Sequence, residues 1–169
     1  MKDSKASTLA AEPALPPEPA MDSVPPPSHA PASASQTMHL KLEITGLKSK
    51  QGQCPIAIYI EEGFNDPDQA IFKETLNIDG DPIMLSVSLT DWMQARGLQS
   101  LEGLKLAVSA YHDLNSNGKL DKNSFGIPTE PYGFSRDPKR GFGPPSFEQA
   151  AVEIDPAMTS ETPISIRLH

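Results

Sequence analysis

Apolar and polar positions alternate with period two through most of the chain after Thr37, the signature of strands that bury one face. In Met38–Ile44, Leu40, Leu42 and Ile44 point one way and His39, Lys41 and Glu43 the other. Gly46 ends that strand, and Lys50-Gln51-Gly52-Gln53 reads as a turn. A second run, 54–61, aligns Ile56, Ile58 and Ile60, with Pro55 early enough that no ladder hydrogen bond is lost. Asn65–Phe72 reads as a turn with one helical turn, Asp66 capping Pro67. Strands are expected at 72–78 and 83–89, and Asp79-Gly80-Asp81-Pro82 between them predicts a hairpin. Thr90–Arg96 reads as a short helix ended by Gly97, its Trp92 packing over a sheet edge. Leu104–Tyr111 is a strand with Leu104, Leu106, Val108 and Ala110 inward. Ser146-Phe147-Glu148-Gln149 carries a capping box, and strands near 151–154 and 164–168 complete the set. Seven short strands with intervening turns predict an all-β fold, a sandwich of immunoglobulin or transthyretin type with one or two short helices.

Residues 1–37 break this pattern. They hold 8 of the 18 prolines and almost no large apolar side chains. Such a segment buries too little apolar surface to offset its ordering entropy. It is expected to be a disordered, semi-extended Pro/Ala-rich arm, leaving 38–169 as the domain. No apolar signal core follows Lys2-Asp3-Ser4-Lys5. An arm of this composition also suits a mature exported protein held off a membrane anchor or cell surface.

Charge and cysteine content narrow the partners. The formal net charge of -8 divides into -2 for the arm (two Lys against four acids) and -6 for the domain. An acidic domain is repelled by phosphate backbones, so nucleic acid is excluded as a partner class. No stretch has the apolar length of a membrane span. Cys54 is the single cysteine, so no disulfide forms within the chain, and its place in an apolar run reads as core.

The 39 residues from His112 to Ala150 have little periodicity. Loops that long in a compact domain are usually functional or disordered. Phe125, Tyr132, Phe134, Phe142 and Phe147 fall within it, a density of aromatics that predicts an ordered loop folded back on the domain. It opens with Asp113-Leu114-Asn115-Ser116-Asn117-Gly118-Lys119-Leu120-Asp121. Oxygen side chains at alternate positions, then glycine, then an acid, match the way a chain wraps calcium, which takes about six to eight oxygen ligands. On that template Asp113, Asn115 and Asn117 donate side-chain oxygens, Lys119 its carbonyl, and Asp121 a direct or water-mediated contact. The twelfth position, where a bidentate Glu closes such sites, is Ser124. Affinity is therefore expected to be weak unless a distant acid helps, and Glu130 is the nearest. The same residues also suit an Asx-turn cluster held by its own hydrogen bonds without metal.

Three linked motifs carry a family resemblance: His112–Asp121, then Gly126-Ile127-Pro128-Thr129-Glu130-Pro131-Tyr132-Gly133-Phe134-Ser135, then Gly143-Pro144-Pro145-Ser146-Phe147-Glu148-Gln149-Ala150. With the strands around them, about Leu40 to Leu168, they resemble the bacterial domain of unknown function 2141. That resemblance implies export to the periplasm or cell surface and a β-sandwich. It implies no activity, and the arm lies outside it.

Two function classes follow. For an enzyme, Glu130 and Glu148 are the carboxylate pair that would act on a glycan. The histidines read as solvated, and adjacent His112 and Asp113 point to opposite faces of an extended strand. No nucleophile elbow, Cys/His pair, phosphate loop or zinc spacing is present. For a non-catalytic module, Arg136, Lys139 and Arg140 lie beside Tyr132, Phe134 and Phe142, and Glu130 adjoins them. A basic and aromatic loop surface suits an envelope peptide, glycan or protein.

Overall fold

The computed structural model describes residues 39–100, 102–139, 141, 143–155 and 162–169. The arm expected over 1–37 lies outside them. Eight strands form two sheets, which confirms the all-β sandwich with one strand more than expected. The first sheet has the order β4 (Ile83–Ser88), β1 (His39–Thr45), β8 (Ile164–Arg167). β1 runs antiparallel to β4 and parallel to β8. The second has the order β3 (Phe72–Asn77), β2 (Gln53–Tyr59), β5 (Lys105–Tyr111), β6 (Tyr132–Phe134), and β7 (Val152–Glu153) pairs with the start of β5.

The core forms where the period-two pattern places it. Leu40, Leu42 and Ile44 of β1 and Ile83 and Val87 of β4 meet Cys54, Ile56 and Ile58 of β2 and Leu106, Val108 and Ala110 of β5. β5 is buried on both faces. Ala107, on its outer side, packs with Phe147, Ala150 and Ala151 of the short helix α2 (Phe147–Ala150) and its C-terminal neighbour. The alternating pattern does not reveal that second burial, because small residues on the outer face read as neutral.

Three local expectations hold. Asp66 Oδ1 accepts the Asp68 N–H at the start of a single 3-10 turn. Ser146 and Gln149 close a capping box on α2. Helix α1 (Thr90–Ala95) precedes Gly97, which is left-handed at φ +65°. Trp92 is partly buried against the core with the Arg96 guanidinium over its ring, 4.9 Å from the centroid.

The hairpin expected at 79–82 does not form. β3 pairs with β2, whereas β4 pairs with β1, so this connection carries the chain from one sheet to the other. A Gly/Pro/Asp turn marks where the chain reverses and leaves open whether the next strand joins the same sheet. At the opposite side of the sandwich the two sheets are tied: Ser135 bridges Ile166, and the His169 N–H donates to the Tyr132 carbonyl. There β6 passes so close to β8 that a Cβ on Gly133 would lie 2.1 Å from the Arg167 carbonyl oxygen.

Candidate functional site

The long loop begins where β5 leaves the sheet. Asp113 exchanges both backbone hydrogen bonds with Gln53, at 2.8 Å each, and so prolongs the ladder by one bridge. The partner turn passes so near that a Cβ on Gly52, at φ +87°, would sit 2.2 Å from the Asp113 carbonyl oxygen. His112 locks the same junction. Its Nε2 bonds the Gln51 carbonyl at 2.8 Å, and its Nδ1 accepts the Lys48 N–H at 3.3 Å. This histidine is fully buried, which corrects its reading as solvated. The sequence signal that could have found it is its position directly after a buried strand, opposite a glycine turn.

Asp113 is fully buried, and both carboxylate oxygens serve the loop backbone. Oδ1 accepts the Asn117 N–H at 3.1 Å and Oδ2 the Gly118 N–H at 2.6 Å. Asn115 Oδ1 accepts the Asn117 N–H as well, and Asn117 Oδ1 accepts the Lys119 N–H at 2.8 Å. The Asn115 and Asn117 amides each donate to Asp121, at 2.6 and 3.0 Å. Glu130, also buried, closes the network from nine residues further on. Its Oε1 accepts the Leu114 N–H at 2.8 Å and its Oε2 the Asp121 N–H at 3.0 Å. Glu130, the distant acid nearest in sequence, thus reaches the loop through its backbone N–H groups. The structure brings Asp113, Asn115, Asn117, Asp121 and Glu130 into one knot, with Lys119 contributing its N–H.

In this arrangement the side chains of Asp113, Asn115 and Asn117 make Asx-type hydrogen bonds to N–H groups further along the loop. Every carboxylate oxygen of Asp113, Asp121 and Glu130 already accepts an N–H. Among the described residues no three His, Cys, Asp or Glu side chains are grouped closely enough to hold a metal as they stand. The donor chemistry is that of a hard-cation site, all oxygen, with three formal negative charges. The ion pairs found among the described residues, Lys105–Glu148 and His169–Asp137, involve none of the three.

Beyond the knot, Asn123 builds a second turn: its Oδ1 accepts the N–H groups of Phe125 and Ile127. That turn faces Phe125 outward, 88% exposed, so this ring does not pack as expected. Tyr132, Phe134 and Phe147 do. Phe64 meets Tyr59, Phe134 and Phe147 edge-on at 5.6–5.9 Å, and Tyr132 meets Phe134 at 6.2 Å. Tyr132 and Phe134 then wall a cleft of about 240 Å³ together with Lys139, Pro144, Pro145 and His169. Phe142 and Arg140 lie outside the described residues.

Two expected site residues part from this group. The Arg136 guanidinium donates to the carbonyls of Glu148 and Ala151, at 3.3 and 3.1 Å, and so caps the C-terminal end of α2 rather than facing the cleft. Glu148 is paired with Lys105 at the start of β5, whereas Glu130 holds Leu114, beyond the end of that strand. At about 3.3 Å per residue β5 alone spans roughly 20 Å from Lys105 to Tyr111, so the two carboxylates are anchored at opposite ends of the strand. A glycosidase pair stands within about 5–9.5 Å.

Neither the curated proteins nor the solved structures contain a match to this chain. A family model does match, over residues 42–162, and its description is an uncharacterised protein conserved in bacteria. The match runs from within β1 through β7 and takes in the carboxylate knot, the Asn123 turn and the lining of the aromatic cleft except His169, and the chain belongs to that bacterial family, DUF2141.

Proposed function

We propose that this chain is a non-catalytic module of the bacterial periplasm or cell surface that binds an envelope peptide, glycan or protein in the Tyr132 cleft. The observation that carries this reading is how the buried acids are used. Asp113 and Glu130 hold backbone N–H groups, and the one expected carboxylate pair is split between the two ends of β5. What these acids support is the shape of the surface beside them. Aromatic rings with a lysine and a histidine at a half-open cleft suit recognition by stacking and a few directed hydrogen bonds. The resemblance to exported proteins supports the location. The test is retention of the full chain on immobilised envelope extract, with Tyr132→Ala/Lys139→Ala as the variant. Retention should be lost while the melting curve is kept. Equal retention by the double variant would remove the cleft from the proposal.

A second element of the proposal is calcium. It is supported by three carboxylates gathered in one network with all-oxygen donors. Asp113, Asn115, Asn117, Asp121 and Glu130 would hold the ion, with Lys119 offering its carbonyl. A cation there must compete with the amide donors on Asp121, so affinity is expected in the range of extracellular modules, about 10⁻⁴–10⁻³ M. A ligand that binds only the folded state stabilises by about 2.7 kcal/mol at a hundredfold excess over Kd. Thermal melts in excess calcium and in chelator should therefore differ for the wild type and coincide for Asp121→Ala. Coincident wild-type curves would leave the knot as a hydrogen-bonded scaffold alone.

A further inference from the structure

We propose that the free edge of β4 is the seam of a homodimer, in which two copies pair antiparallel about a twofold axis at Ser86. Among the described residues β4 ends its sheet and pairs only with β1, so its other edge offers N–H and C=O groups that no described strand pairs. Folded proteins ordinarily blunt such edges with charges, prolines or bulges. The edge of the other sheet is blunted in this way, since β3 carries Lys73 and Glu74. β4 reads Ile83-Met84-Leu85-Ser86-Val87-Ser88, six residues without a charge, and its Met84 is 55% exposed. On the far side of the sandwich β6 and β8 are tied across the sheets, so among the described residues no comparable edge is open there.

A second copy is the occupant that this sequence suits. A twofold pairing sets each residue against its own mirror position, which places like charges in opposition wherever an edge is charged. β4 has none to oppose. With Ser86 facing Ser86, Met84 lies against Ser88 of the other copy, a long side chain beside a small one. On the inner face the half-buried Leu85 meets Val87, so the core continues across the seam. This register also keeps Pro82, which has no N–H, outside the ladder; a twofold at Leu85 would bring it in. The two three-stranded sheets become one of six strands. Net charge opposes the encounter, because each chain carries -8. Salt screens that repulsion over about 10 Å at 0.1 M, so the dimer should tighten as ionic strength rises.

The experiment is sedimentation equilibrium of the full 18.2 kDa chain across protein concentration at low and high salt. The wild type should approach twice the monomer mass, with a smaller dissociation constant at high salt. Ser86→Lys, which sets two ammonium groups face to face, should be monomeric with an unchanged circular dichroism spectrum. Thr75→Lys on the β3 edge should dimerise as the wild type does. Directly opposed strand residues have Cα atoms about 4.5–5.5 Å apart, within the range a disulfide spans. Mild oxidation of Ser86→Cys should therefore give a covalent dimer that reductant releases. Cys54 does not interfere, since it is buried and its thiol is pushed up to about 12. A wild type that stays monomeric throughout, with no cross-link in Ser86→Cys, overturns the proposal. So does a dimer that survives Ser86→Lys, because that dimer is built on another face.

Discussion

Glu130 shows how one side chain can fix a loop of this length. It lies nine residues from Asp121 and sixteen from Leu114, yet it accepts the backbone N–H of both. A carboxylate suits the position because it only accepts; both oxygens face donors. Glu130→Gln keeps the shape but turns an NH₂ group toward one of those N–H donors. A buried donor left without an acceptor costs about 1–3 kcal/mol. We therefore expect Glu130→Gln to lower the unfolding free energy by about 2 kcal/mol in a urea titration, with the slope unchanged. A loss under about 0.5 kcal/mol, the range of an ordinary surface change, would mean that Glu130 does not hold the loop. At this scale the sequence was informative wherever a residue type has few uses. The alternate Asp113, Asn115 and Asn117 mark a loop ordered by oxygen side chains, and the structure shows them and Glu130 bonded to its backbone N–H groups. Arg136 was misread, because a cation next to aromatics looks the same in sequence whether it faces a ligand or the carbonyls of a helix end.

Among the elements, the strands with one buried face were the most legible. β1, β2 and β5 lie where the period-two pattern sets them, and the capping box at Ser146 marked α2. The failures have physical causes. β6 is three residues long, too short for alternation to register, and it is held by pairing with Ser109, Ala110 and Tyr111 rather than by its own pattern. The link from β3 to β4 was read as a hairpin because turn chemistry is local, whereas the choice of sheet is made by the core. Ile78 and Ile83, on either side of that link, are both buried between the sheets. The exposure of Phe125 has the same lesson at shorter range. The Asn123 carboxamide fixes the turn, and the turn fixes where the ring points, whatever its hydrophobicity would favour.

Across the whole molecule, the alkaline limit of stability follows from where the knot meets the sandwich. Tyr111 ends β5 with Asp113 and Glu130 beside it. Burial first, then the charges of those two acids, push its phenol up to about 12 from an ordinary value of 10.0. Burial alone raises the Cys54 thiol on the neighbouring strand to about 12 from 9.0. Both groups are neutral when protonated, and folding favours that form. Their contribution to stability is thus fully present below the unfolded values and is lost as pH rises through the folded ones. The melting temperature should then hold steady to about pH 9, begin to fall as Cys54 ionises in the unfolded state, and fall more steeply from about pH 10 to 12. Cys54→Ala should flatten the first part of that decline, and Tyr111→Phe, which has no proton to lose, the second. Burial raises the Tyr59 phenol as well, so an absorbance titration should show two tyrosines ionising late in the wild type and one fewer in Tyr111→Phe. If the variant instead melts with the same pH dependence as the wild type, the phenol is solvated in the folded protein. The junction of β5 with the carboxylate knot would then be open to water, and the loop would be a surface appendage instead of an extension of the core.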